Sequence, residues 1–140
     1  MKQIVLVEDD ASVVKSIKFA LQNFYKLEIF FNAEDGLEYL KKNISDVDIL
    51  LVDNILPGMD GWNLAYKVKC NPNLAHLPIV MQSGKQSKYL KHTKYVDQFI
   101  EKPYASTELL EILQKAQNIE IRKINLTIWQ KILQKIKIHN

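Results

Sequence analysis

Apolar residues recur along this chain in two rhythms. Short, largely apolar runs occur at Ile4–Val7, Leu27–Phe31, Ile49–Val52, Ile79–Met81 and Gln98–Ile100. Three of them are unbroken, as expected for central strands buried on both faces. Between the runs the spacing changes to threes and fours. Ala11–Phe24 puts Val14, Ile17, Ala20, Leu21 and Phe24 on one stripe, and Ala33–Lys42 carries Leu37 and Leu40. Trp62–Lys69 and Thr107–Gln117 have the same helical period. Asp10 or Ser12 can cap the first helix, and Ser106 or Thr107 followed by Glu108 suits the start of the last. Strands alternating with helices predict a parallel sheet covered on both faces. The expected fold is doubly wound α/β with five strands. With strand order 2-1-3-4-5, the switch point falls between the first and third strands, beyond whose carboxyl ends such sheets bind ligands.

Composition narrows the class. A chain of 140 residues is about one domain and long enough to bury most of its apolar surface. Its 47% hydrophobic and 25% charged content is ordinary for a soluble globular protein. The single cysteine, Cys70, excludes an internal disulfide framework and fits a reducing cytoplasm. No apolar stretch approaches the ~20 residues of a membrane span. The start, Met-Lys-Gln, runs straight into a strand, so no signal peptide and a cytoplasmic location are expected. The net charge of +3 is uneven. Residues 1–84 hold 8 basic and 11 acidic side chains, residues 85–118 hold 6 and 4, and residues 119–140 hold 5 and 1. The overall charge therefore says little about partners.

The candidate chemistry sits at two strand ends. The apolar run Ile49–Val52 ends in Asp53, and Ile4–Val7 ends in Glu8-Asp9-Asp10. Buried neighbouring carboxylates repel, and one takes up a proton unless a cation sits among them. A hard divalent ion with oxygen ligands, Mg²⁺ above all, is the natural occupant. A carboxylate beside such an ion can act as nucleophile toward a phosphoryl group whose charge the metal neutralises. The pattern points to phosphate handling. His76, His92 and His139 show no metal-ligand spacing, which argues against zinc.

Four segments in order, IVLVEDD, DILLVDNILPGMDGW, PIVMQSG and QFIEKPY, give residues 2–118 a resemblance to the receiver domain of two-component response regulators. The resemblance implies the flavodoxin-like receiver fold and assigns roles by position. Asp53 matches the phosphoacceptor. Glu8 and Asp9 match the acidic pair, Asp9 binding Mg²⁺ (or Mn²⁺) directly and Glu8 through water, with the backbone carbonyl of Ile55 as a further ligand. Ser83 matches the switch hydroxyl, Lys102 the lysine that pairs with the phosphoryl group, and Phe99 the aromatic switch residue. The Lys102–Pro103 bond resembles the family's cis peptide. The charges agree with these roles, since cation, ammonium and hydroxyl could each take one oxygen of an acyl phosphate on Asp53. Inward movement of the Ser83 hydroxyl would vacate space into which Phe99 can turn.

The function so implied is a phospho-accepting switch, regulatory rather than an enzyme acting on a separate substrate. A sensor histidine kinase or phosphotransfer protein would supply the phosphoryl group, and a downstream protein target would read the result. An alternative is the receiver portion of a larger DNA-binding transcriptional regulator, although no helix-turn-helix follows residue 118 and no direct nucleic-acid contact is expected. A haloacid-dehalogenase-like hydrolase would need a second acid where Ile55 stands. A flavodoxin-like cofactor binder would need a phosphate-cradling first loop, whereas Glu8-Asp9-Asp10 repels phosphate. Asp10 reads as a helix cap, and Asp60 and Gly61 as turn and helix-start residues without chemistry.

The chain also departs from the pattern. Ser83 and Lys102 are only 19 residues apart, so KQSKYLKHTKYV should form a short or shifted helix and alter the family's usual dimerisation face. Lys85, Lys88, Lys91 and Lys94 advance by about 300° per step and spread over half a helix, as a solvated face does. Ile55 and Lys85 stand where the family tunes loss of the phosphoryl group. An apolar Ile55 cannot hold an attacking water, so slow self-dephosphorylation is expected.

Residues 119–140 lie outside a minimal receiver and read as a C-terminal amphipathic extension without a separate effector domain. A helix would bring Ile121, Ile124, Ile128, Ile132 and Ile136 near one stripe, flanked by Trp129 and Leu133. The Ile-rich start also tolerates a strand over residues 119–125. An exposed stripe of this size should be covered. Folding back on its own domain, a homodimer through the extension, a partner helix and an anionic membrane surface all remain open.

Overall fold

Five strands line up in parallel in the order β2-β1-β3-β4-β5, as the pattern predicts. The computed structural model describes residues 1–84 and 94–139, with backbone alone for residues 119–125 and 136–139. The strands are β1 (Gln3–Val7), β2 (Lys26–Phe30), β3 (Ile49–Asp53), β4 (Ile79–Ser83) and β5 (Gln98–Glu101). Among the described residues the α-helices are α1 (Ala11–Leu21), α2 (Ala33–Asn43), α3 (Gly61–Cys70) and α4 (Ser106–His139), and a 3₁₀ turn, Ile44–Asp46, follows α2. The helix expected from KQSKYLKHTKYV, with Lys85, Lys88 and Lys91, falls mostly outside the described residues.

Strand alternation divides the core in two. Val5, Val7, Leu50, Val52, Ile79 and Met81 pack on the side of α2 and α3. Ile4, Leu6, Ile49, Leu51, Val80 and Ile100 pack on the side of α1 and α4. β1, β3 and β4 are buried along their whole length, which explains why their sequences lack polar alternation. β2, at one edge, stays partly exposed.

Caps set where the helices begin. Asp10 Oδ1 accepts from Ser12 N at 2.9 Å and Val13 N at 3.4 Å, so Asp10 caps α1. Asn32 and Asp60 cap α2 and α3 in the same way, accepting from Asp35 N and Asn63 N at 2.8 Å each. The last helix begins at Ser106, where the sequence places its start, with Leu109 N bonded to Ala105 O and Glu108 in the first turn. At the far side of the sheet, the mostly buried Lys69 ammonium bonds Asp97 Oδ2 and Leu77 O at 2.8 Å each. It ties the end of α3 to the entry of β5.

Candidate functional site

The carboxyl ends of β1 and β3 are neighbours, with Val7 opposite Val52. Asp53, the last residue of β3, therefore comes beside Glu8, the residue after β1. Carboxylate oxygens of Glu8, Asp9 and Asp53 all lie within 4.8 Å of one another. Glu8 is 1% exposed and Asp53 7%, whereas Asp9 faces solvent. Three carboxylates this close, two of them buried, form a donor set suited to a hard divalent cation.

Lys102 enters from the loop after β5. Its Nζ lies 3.0 Å from Asp53 Oδ2 and 3.6 Å from Glu8 Oε2. One ammonium cannot balance three carboxylates, and the surplus shows in Glu8. Burial, and then the charge of Asp53, push its carboxyl from the ordinary 4.5 up to about 7, against the pull of Lys102. Glu8 Oε2 is buried without a hydrogen-bond partner. An orphaned buried carboxylate oxygen facing two other acids fits a cation ligand, held directly or through water.

The remaining predicted residues surround this cluster. Ser83 ends β4, its hydroxyl buried and without a partner. The Ile55 amide donates to Asp53 Oδ1 at 3.4 Å while its side chain is 75% exposed. Phe99, on β5, is half-buried with its ring tilted against Trp62 at 5.8 Å. The Lys102–Pro103 peptide is cis. Lys85 lies outside the described residues.

Two features escaped the sequence reading. A Cβ on Gly61 would overlap the Asp53 carbonyl oxygen and sit 2.9 Å from Asn54 Cα, so the start of α3 presses directly on the end of β3. The Gly61 amide also donates to Asn54 O at 3.1 Å. Tyr104 donates its hydroxyl to Gln82 Oε1 at 2.6 Å, next to Asp53 in the sheet register. Burial, then the charges of Glu8 and Asp53, raise the Tyr104 phenol above its ordinary range, which keeps it a donor. The available signal was Gln82, a polar residue inside an otherwise apolar buried strand. Along this side runs a groove of about 560 Å³ between α1 and the segment after β5, lined by Ile17, Ala20, Pro103 and Tyr104 among others.

The profile of the response regulator receiver domain matches residues 4–114. The chain belongs to the response regulator receiver domain family of two-component systems. It is 30% identical over 112 residues to the transcriptional regulatory protein DltR of Streptococcus agalactiae, covering 77% of this chain and 48% of that protein. It is 28% identical over 134 residues to the 3',5'-cyclic-nucleotide phosphodiesterase regA of Dictyostelium discoideum, covering 92% of this chain and 16% of that one. The chain thus spans less than half the length of either relative. In fold it is similar to NtrX from Brucella abortus, with a TM-score of 0.82 at 21% identity over 92% of this chain and 30% of that structure.

Proposed function

We propose that Asp53 accepts a phosphoryl group from the phosphohistidine of a sensor histidine kinase or phosphotransfer protein. The observation that carries this is the contact of a buried strand-end carboxylate with the Lys102 ammonium at 3.0 Å, inside a cluster of three acids. Asp9, Asp53 and Glu8, the last through water, with the Ile55 carbonyl, would hold Mg²⁺ or Mn²⁺. When bound, the ion supplies charge neutralisation for the transferring phosphoryl group.

The chain's own groups do the rest. Asp53 attacks with a carboxylate oxygen, and the phosphorus–nitrogen bond of the donor breaks as the new oxygen–phosphorus bond forms. Lys102 pairs with one phosphoryl oxygen. The Ser83 hydroxyl, buried and unpartnered, donates to another. That donation draws β4's end inward, and Phe99 shifts against Trp62 to change the surface that a downstream protein reads. The groove beside α1 offers the phosphodonor protein an apolar wall. The role is regulatory, since the only bond the chain makes or breaks is on its own Asp53.

The test is incubation with a small acyl phosphate donor and Mg²⁺, followed by intact mass. Wild type gains one phosphoryl group and Asp53→Asn gains none. Equal gain by Asp53→Asn, or no gain by wild type, refutes the reading. A second reading, that the receiver works within a transcriptional regulator, is favoured by the name of DltR and by the share of that relative this chain spans. Among the described residues no helix-turn-helix follows β5.

A further inference from the structure

Among the described residues, buried polar atoms without a hydrogen-bond partner gather around Asp53: Glu8 Oε2, Ser83 Oγ and Gln82 Nε2. The first two already have tasks, toward a cation and toward a phosphoryl oxygen. Gln82 has none. It is fully buried in a strand whose preceding residues, Ile79, Val80 and Met81, are apolar. A leucine there would fill nearly the same space without burying an unpaired N–H. Alternation puts Gln82 on the face of Val80, toward α1 and α4, and Asp53 on the face of Leu51, which is the same one. The two residues are register partners in the β3–β4 ladder, and Asn54 N bonds Gln82 O at 3.1 Å. Their side chains therefore leave the sheet side by side.

The amide is also held in place. Tyr104 donates to its Oε1 at 2.6 Å, and Lys102 N bonds Ser83 O at 2.8 Å. The segment carrying Lys102 is thus fastened to the end of β4 at two points. With Oε1 engaged, the planar amide cannot turn Nε2 elsewhere without breaking the Tyr104 bond. The Asp53 oxygens already have donors of their own, Lys102 on Oδ2 at 3.0 Å and the Ile55 amide on Oδ1 at 3.4 Å. We propose that Gln82 Nε2 is a further donor to the acyl phosphate formed on Asp53, with Tyr104 as its positioning residue. The inference rests on Asp53 being the phosphoacceptor. The phosphoryl group brings new oxygens and draws Lys102 from Oδ2, so acceptors arise beside a donor that has none. A donor fixed before the charge arrives favours it without reorganisation. Gln82 supplies a hydrogen bond only and keeps its protons.

The test uses Gln82→Leu with Tyr104→Phe, which removes both partners with little change of shape. Stability of this double variant toward urea in chelator should equal or exceed that of wild type. Its rate of phosphorylation by acetyl phosphate with Mg²⁺, read by intact mass, should be about tenfold lower, as for loss of one hydrogen bond to a charged group. Tyr104→Phe alone keeps the donor but frees its direction, and should be about threefold slower. In nitrogen-15 spectra of the wild type, the Gln82 side-chain amide proton should move downfield on phosphorylation, a shift that packing alone would not produce. A double variant phosphorylated as fast as wild type overturns the proposal, as does an unmoved Gln82 amide. Where the double variant is unstable, the wild-type spectrum decides. Absence of phosphorylation in wild type, or equal phosphorylation of Asp53→Asn, brings down the underlying reading as well.

Discussion

Replacing Glu8 by Gln should make the metal-free protein more stable, and more so as pH rises. Glu8 is 1% exposed, its Oε2 has no hydrogen-bond partner, and burial with the charge of Asp53 raises its carboxyl from 4.5 to about 7. The folded state therefore holds a proton that the unfolded state has already released between those values. Where the folded chain binds more protons, stability falls as pH rises. Below 4.5 Glu8 is neutral in both states and costs nothing on this account. Above about 7 the full penalty is present, on the order of 3 kcal/mol at about 1.4 kcal/mol per pH unit of displacement. For a chain of this length that corresponds to about 10 °C in Tm. Thermal unfolding of wild type and Glu8→Gln should be followed by circular dichroism in chelator, from below pH 4.5 to above pH 7. The difference between the two proteins should open across that window in favour of the variant. Saturating Mg²⁺ should close or reverse it, because the wild type retains the fuller set of donors and gains more from binding. A difference that stays constant with pH would refute the reasoning, because Glu8 would then carry no displaced proton.

Gly61→Ala should cost about 2 kcal/mol in urea unfolding, since the new methyl group meets backbone atoms of Asp53 and Asn54 that cannot give way cheaply, and this outweighs the ~1 kcal/mol that Ala gains over Gly in a helix. Once phosphorylated, the purified protein should keep its phosphoryl group for minutes or longer, because the exposed apolar side chain of Ile55 cannot hold an attacking water. Ile55→Asn should shorten that lifetime several-fold, and a wild-type half-life of seconds would contradict the argument.

The sheet and its two acid-bearing strand ends were legible because β1 and β3 are buried on both faces. Burial leaves their apolar runs unbroken until the first carboxylate, so Asp53 and Glu8 stand out in the chain. Lys102 was different. It lies 49 residues from Asp53, and only the likeness of QFIEKPY to a known pattern linked them before the structure placed them 3.0 Å apart. The closeness of Gly61 to Asp53 follows from the angle at which α3 leaves its loop, which no local pattern encodes. The Gln82–Tyr104 bond pairs strand and loop across 22 residues and leaves no period to detect.

Between β1 and β3 in sequence lie α1, β2 and α2, although the two strands touch in space. Neither the acid pair nor Asp53 can therefore meet its counterpart until a loop of some forty residues has closed and the central ladder has zipped. A ligand that bridged Glu8, Asp9 and Asp53 would therefore report on the pairing of β1 with β3, and would stabilise that ladder as well as the residues it touched.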